Sequence, residues 1–592
     1  MNPGFATYSK PRKLTLLEAL DEVEAAAAPS AKHTVDLLYS LGSALREGDD
    51  GGRRLSTSMQ QRLVRAVTKL AGLMLQSSSS SNSSNQPIEQ LGGKELSLSA
   101  WALGKVKLMQ GSELSIRLGS ALASRALTNT SMDGQGAKGW LNWANLLYGL
   151  AEAGLKCSSS QPVQEVFIMA ITQQLPNLLS SKQPCMPQSV SITFHATVTA
   201  SYSGSLEPLV SAVAGELSRV MEGAAAQDWS NLLWACAKQE DSGSGRLGQG
   251  MPVVLREGGA AMASLAHSNE TKPQALSNVL WAFASFSWYN AGLVSELAAA
   301  MAKQATYSKP QEMSNTLWAL SKLGWYDASV YSTLTSAFVQ KSNDATPQDF
   351  SSVLLSCAEA RHWDSSVEGL AEFVSKQSEQ QWGKWNEQEL SNSLYAWAVL
   401  TAAGPSAASA SPSFKIMAQQ LFSQVSKRGP SAFVDLGLRQ LYVAHQVAVY
   451  GKLPGNGLSA NVKLLEKAVA ANEAYLNELQ RMMKGGAINE VAAALQRAGY
   501  EAQVAQVVEN EGLKKMVPLL VKGVAVHFTS VDDYFRSPPG LLSGSKHIHD
   551  VLAGCVCGSS IVVPEAEWAG LKSDPQQQQA YMAQRLQEAV KK

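Results

Sequence analysis

The sequence predicts a mostly α-helical protein: an α-solenoid of repeated helix pairs followed by a small α/β domain. Three observations predict it. Ten stretches resemble one another, most of them at intervals of 37 to 47 residues. Within each, apolar residues recur with a helical period. After Gly485-Gly486 the character changes, and short apolar runs bounded by turn signals follow.

The clearest copies are PQALSNVLWAFASF from Pro273, PQEMSNTLWALSKL from Pro310, PQDFSSVLLSCAEA from Pro347 and NEQELSNSLYAWAVL from Asn386. One anchor, the aromatic after the last Leu, sets the register: Trp281, Trp318, Leu355 and Tyr395. Trp101, Tyr148, His195 and Trp234 fall in the same register upstream, and Tyr39 and Tyr442 anchor weaker outer copies. The variable intervals predict connections or second helices of variable length.

Counted from the Pro of one copy, positions 4, 8 and 11 (Leu276, Leu280, Phe283) form a helical core face. Pro suits the first turn, where its missing N–H is not needed. Positions 5, 9 and 12 are read as extending that face, with the position 9 Trp packing on the partner helix or the next repeat. Position 10 is nearly always small (Ala235, Ala282, Ala319, Ser356, Ala396), which lets another backbone approach closely.

Positions 2, 6 and 13 cluster on the opposite arc. Position 2 is Gln227, Gln274, Gln311, Gln348 and Gln388; position 6 is Asn145, Asn231, Asn278, Asn315 and Asn392. Position 13 varies and includes Lys105, Lys238 and Lys322, with Glu152, Ser285 and Glu359 in other copies. Stacked helix pairs would set these arcs side by side along one groove. Recurring amides beside a varying neighbour suit a modular reader of single-stranded RNA, one unit to about one base. An inter-repeat hydrogen-bond ladder of the Asn side chains is the competing reading, because amides at a helix seam need partners.

The chain has 592 residues, too many for one compact core, and zero formal net charge. Charged residues make up 17%, against the ~25% usual in soluble proteins. No uniformly basic footprint is present, and low charge also fits a protein-binding scaffold. Six scattered cysteines suit a reducing compartment. No apolar run is long enough to span a bilayer. Lys10, Arg12 and Lys13 are followed at once by Asp21, Glu22 and Glu24, which makes no convincing transit peptide.

The expected organisation is an N-terminal region (1–90) with a degenerate repeat and the polar Ser77–Asn85 insertion, a helical-repeat solenoid (91–455), a connecting helix (456–485) and an α/β domain (486–592). Helical pattern is expected to continue to about Glu511. Strands are expected at VAVHF from Val524 and IVVP from Ile561.

The Pro, Asn, Trp and Gly-aromatic order, closest in PQEMSNTLWALSKLGW, resembles the octotricopeptide repeat family of green algae. The last hundred residues resemble a divergent RAP domain, through VAVHFTSVDDYF with a strand running into Phe535, the helix around Asp550 to Gly554, the strand ending at Pro564, and Glu567-Trp568. This resemblance implies a restriction-endonuclease-like fold and an organellar RNA-binding protein acting on the stability, processing, splicing or translation of one transcript. Chloroplast is favoured, with mitochondrion the alternative, and other RNP or ribosomal proteins are possible partners. A structural ribosomal or RNP subunit is the alternative function. His527 or Phe528 stands where the resemblance expects Glu, so nuclease activity is not expected. No cofactor or metal is expected: His547, His549, Cys555 and Cys557 gather four possible zinc ligands, but C-x-C is tighter than the usual spacing. Asp532-Asp533 is read as a solvated turn.

Overall fold

The computed structural model describes residues 14–27, 29–46, 55–76, 87–134, 138–243, 247–450, 457–482, 487–510, 513–571 and 574–591. The basic Lys10–Lys13 stretch, the Ser77–Asn85 run, part of the Gly/Ser-rich loop after Asp241 and Gly485-Gly486 lie outside the described residues. The protein is mostly helical with one four-stranded sheet near the C-terminus. No helix among the described residues is long and apolar enough to cross a membrane. The chain divides into two compact units, Met1–Trp288 and Tyr289–Lys592.

The first unit contains α1 (Leu16–Ala25), α2 (Ala31–Arg46), α3 (Thr57–Leu75), α4 (Gly93–Lys105), α5 (Glu113–Leu127), α6 (Lys138–Glu152) and α7 (Gln161–Met169). It continues with α8 (Leu175–Ser180), α9 (Pro187–Thr199), α10 (Glu207–Gly215), α11 (Leu217–Val220), α12 (Ala226–Asp241), α13 (Met251–Leu265) and α14 (Pro273–Ser285). The helices that carry the repeat motif pack in sequence order, α2 on α4, then α6, α9, α12 and α14. The intervening helices form a second row, α3 on α5, α5 on α7 and α10 on α13.

The second unit begins with α15 (Ala291–Lys303), α16 (Pro310–Lys322), α17 (Ala328–Gln340), α18 (Pro347–Glu359), α19 (Ser365–Ser375), α20 (Glu379–Trp382) and α21 (Glu387–Ala403). There follow α22 (Ser406–Ala410), α23 (Pro412–Ser426), α24 (Asp435–Tyr450), α25 (Val462–Met482) and α26 (Ala487–Arg497). Here α16, α18, α21 and α24 make the motif row, and α15, α17, α19 and α23 the second row.

Local chemistry sets both ends of a motif helix. The acid at position 3 reaches back to the backbone N–H before the helix: Asp228 to Ala225 (3.1 Å), Glu312 to Lys309 (2.7 Å), Asp349 to Thr346 (3.0 Å) and Glu389 to Asn386 (2.8 Å). At the other end, position 15 is left-handed in Gly154, Ser201, Ser287, Gly324 and Arg361. The next N–H then closes on the carbonyl five residues back, as in Trp288 to Phe283 and Trp325 to Leu320, both 2.9 Å. This geometry underlies the Gly-aromatic step of the motif. Replacing Ser287 (φ 51°) by glycine should raise stability by up to about 1 kcal/mol in a denaturant titration, because the left-handed backbone then carries no Cβ.

The small position 10 residues Ala235, Ala282, Ala319, Ser356 and Ala396 are all buried. Gly149 shows why: a Cβ there would lie 2.2 Å from the carbonyl carbon and oxygen of Ala100 on the neighbouring helix.

The C-terminal sheet has the order β1 (Gln503–Asn510), β2 (Leu513–Val521), β3 (Val524–Thr529), β4 (Ser559–Pro564). The first three strands are antiparallel, and β4 runs parallel to β3 through the crossover helix α27 (Gly544–Cys557). Helices α28 (Glu565–Gly570) and α29 (Pro575–Lys591) follow. Val521, Val524, Val526 and Val563 pack with Trp568, Met582 and Leu586 on one face, while Val517 and Ala525 meet Ala553 of α27 on the other.

Two expectations change here. Helix does not run to Glu511: it stops at Arg497, Gly499 takes a left-handed turn, and QVAQVVEN forms β1. That segment alternates and is rich in Val, the signature of a strand. Phe535 is not at the end of a strand; β3 ends at Thr529, and Phe535 sits in the loop that follows.

Candidate nucleic-acid interface

In the first unit, one groove of about 760 Å³ crosses five consecutive motif helices. It brings together Lys105, Asn145, Gln227, Asn231 and Gln274, five of the residues singled out from sequence. Gln188, which shares position 2, lines it too. Asn278 and Lys238 lie on the same arc, half-buried, outside the lining itself. In the second unit, a cavity of about 620 Å³ is lined by Gln311, Asn315 and Gln348, together with Lys309, Lys341 and Ser352. Gln388 and Asn392 of α21 lie outside it; Gln388 is exposed, and the Asn392 carbonyl accepts from Gln440 Nε2 at 2.9 Å. Lys322 is exposed at the end of α16.

The position 9 rings pack on the next repeat, one of the two placements expected, and three of them also line the groove. Trp101, Tyr148 and His195 are lining residues, and Trp234, Trp281 and Trp318 are half-buried. At 100° per residue, position 9 lies only about 20° from position 2 and about 40° from position 13, so the helical wheel already placed it on this arc. The ring type, normally a core signal, masked that placement.

These rings meet along the row. Tyr39 and Trp101 have centroids 5.2 Å apart, Tyr148 and His195 6.1 Å, and His195 stacks on Trp234 at 5.6 Å. Two position 13 lysines sit on these rings, Lys105 between two of them. Lys105 Nζ is 5.5 Å from the Trp101 centroid and 4.8 Å from that of Tyr148, whose hydroxyl it meets at 3.3 Å. Lys238 Nζ lies 4.1 Å over Trp281. Each such cation–π contact contributes about 0.5–2 kcal/mol, depending on desolvation. Burial lowers the pKa of His195, which keeps its ring neutral and apt for stacking.

Inter-repeat hydrogen bonding uses the Asn row once, at Asn392 with Gln440 of the next motif helix, and otherwise runs through other positions. The position 5 Ser donates to position 3 of the next copy: Ser191 to Asp228 (3.1 Å), Ser314 to Asp349 (2.7 Å) and Ser97 to Asn142 (3.5 Å). Burial raises the pKa of Asp228, against the hydrogen bonds from Ala225 and Ser191. The Asn145 amide nitrogen is buried without a hydrogen-bond partner among the described residues. Gln227, Gln274, Gln311, Gln348 and Gln388 are all exposed. The arrangement therefore presents amides at the rim, rings on the floor and a cation, Lys105, between two of the rings.

In the C-terminal sheet, the face toward α27 holds a buried polar cluster. Lys515 of β2 contacts His549 of α27, and His527 of β3 lies 3.2 Å from Asp550. Lys546 pairs with Asp533 at 3.3 Å. Desolvation brings Lys515 down to about 7 and Asp550 up to about 7. It lowers His527 to about 3 and His549 well below its ordinary value. His549 thus faces Lys515 and is not gathered with Cys555 and Cys557. All six cysteines are free thiols, and no group of three or more potential metal ligands occurs among the described residues. Asp533 is half-buried and accepts from the Ser530 N–H at 2.7 Å, more engaged than a solvated turn residue.

No protein-family model matches this chain, and no curated protein is detectably similar to it.

Proposed function

We propose that the chain is an octotricopeptide-type α-solenoid with a divergent RAP domain, and that it binds single-stranded organellar RNA to control one transcript after transcription. It acts by occupancy and not as an enzyme. The observation that carries this reading is the first unit's groove, where amides from α6, α9, α12 and α14 share one lining with the rings of α4, α6 and α9. Rings accept bases of any identity by stacking, and Gln or Asn can pair with base edges. The motif order P-Q-x-x-x-N-x-L-W-A supports the family, and the family supports the organelle.

A protein-binding scaffold is the second reading. It is favoured by the zero net charge and by lysines held on rings within the protein.

Selection from a random-sequence RNA pool separates the two. RNA binding predicts an enriched motif whose affinity falls steeply with salt. Asn231→Ala with Asn278→Ala should then weaken that motif by about tenfold or more and relax preference at about two bases, since each good base contact is worth about 1–3 kcal/mol. The melting temperature should not move. Failure to enrich any sequence would sink the RNA reading.

A further inference from the structure

The motif row of the second unit is not free along its position 12–15 rim. The loop after β3 and the start of α27 are seated on it. Arg536 and Ser537 donate their N–H groups to the Gly324 carbonyl at 2.6 and 3.0 Å, and the Tyr326 N–H returns a bond to Ser537 at 2.6 Å. The Arg536 guanidinium lies 5.1 Å over the Tyr289 ring. The first turn of α27 then meets the next two copies. The Ser545 N–H donates to the Glu359 carboxylate at 3.1 Å, and Gly544 packs against the Ala358 carbonyl and Val399. Glu359 and Val399 are position 13 residues, and Glu359 is buried deeply enough to raise its pKa. Beyond them, Arg439 of α24, at position 6, stacks 4.2 Å from the Tyr475 ring of α25.

The fit is tight at one point. A Cβ on Gly544 would lie 2.0 Å from the Ala358 oxygen, so only glycine allows this approach. On the opposite side of the same copies, the cavity lined by Gln311, Asn315 and Gln348 remains open. The C-terminal domain thus covers one rim of the arc that would receive a strand and leaves the other rim exposed.

We propose that the C-terminal domain is an intramolecular competitor of RNA: it occupies the position 13 rim of α18 and α21, and a strand engaging those copies must lift it. This rests on the RNA-binding reading above. The docked state reduces apparent affinity by the fraction of molecules in which the rim is free. The seat consists of main-chain hydrogen bonds, one carboxylate and a glycine contact, a set that can open without unfolding the sheet core on the far side of the domain.

The test uses the full chain with Gly544→Val, which cannot seat, and Glu359→Ala, which removes an acceptor without a clash. Hydrogen exchange at the Tyr326, Ser537 and Ser545 amides reads docking. Binding of a random-sequence single-stranded RNA pool reads competition. The expected result is faster exchange at these amides together with about fivefold or greater tightening of RNA binding in Gly544→Val, and a smaller change of the same sign in Glu359→Ala. Released amides with unchanged or weaker RNA binding would overturn the proposal, as would amides that stay protected in both variants. If neither the parent nor the variants bind RNA although the amides are released, the RNA reading itself fails and this inference falls with it.

Discussion

Gly149→Val should destabilise the first unit by about 3 kcal/mol or more, one of the largest effects of any single change in the chain. The cause is steric and local. Gly149 sits at position 10 of α6, and its missing side chain lets α4 approach until the Ala100 carbonyl carbon and oxygen stand where the Cβ would be, 2.2 Å away. The clashing atoms are main chain, so no rotamer change relieves the overlap. The two helices must separate, and the lining shared by Trp101, Lys105, Asn145 and Tyr148 opens with them. Gly72 is the control. It is also helical, but nothing lies within 4 Å of its would-be Cβ, so Gly72→Ala should stabilise by about 0.5–1 kcal/mol through helix propensity alone. Denaturant midpoints of the two variants should therefore move in opposite directions. Equal shifts would mean that close approach is not what holds α4 to α6.

Lys515→Met should abolish a pH dependence confined to the C-terminal domain. The folded pKa of Lys515 is brought down by burial to about 7, against an ordinary 10.5, with Asp550 opposing. Between those values the unfolded chain binds more protons at this site than the folded one, so Lys515 makes stability rise with pH from about 7 toward 10. The slope is at most about 1.4 kcal/mol per unit. Asp550 acts in the opposite sense at lower pH. Its folded pKa is raised by burial to about 7 from 3.8, so its contribution falls as pH rises from about 4 to 7. His527, lowered by burial to about 3, adds stability as pH rises toward 6.5 and offsets part of that loss. His549 and Lys546 on α27 and Asp533 in the preceding loop face the same cluster. The alkaline limb is thus the clean one, and it belongs to Lys515. Below neutrality Asp550 is protonated in the folded protein, so the variant loses no ion pair there and, freed of a buried cation, should be at least as stable as the parent. Melting of the C-terminal domain between pH 7 and 9 checks the slope, and an unchanged slope in Lys515→Met would assign it elsewhere.

The repeated motif made the helices of the chain legible because it carries three independent signals: a Pro at the first turn, a helical apolar period and a Gly-aromatic stop. The amide arc was equally legible, since Gln at position 2 and Asn at position 6 have no core role to imitate. Position 9 was legible in part: packing on the next repeat follows from a large ring on a stacked helix, while its place in the groove follows only from its angular nearness to positions 2 and 13. The Ser191–Asp228 and Ser314–Asp349 links could also have been found, because Asp at position 3 and Ser at position 5 recur, but small polar residues on a helix attract little notice. In the C-terminal domain, the amphipathic stretch before β1 carries the helical pattern past its true end; the break at Gly499 and the Val-rich alternation after it mark the change. The seating of α27 on α18 and α21 has no sequence signal at all, since Gly544 and Glu359 are 185 residues apart.

Most copies are spaced 37 to 47 residues apart in sequence, yet within each unit one motif helix packs directly on the next. Extra residues are absorbed by the second row and its connections. Distance along the groove is therefore counted in helices and is indifferent to chain length. A strand lying across α4, α6, α9, α12 and α14 would meet five helices in turn, and lengthening a connection between them would leave their number unchanged.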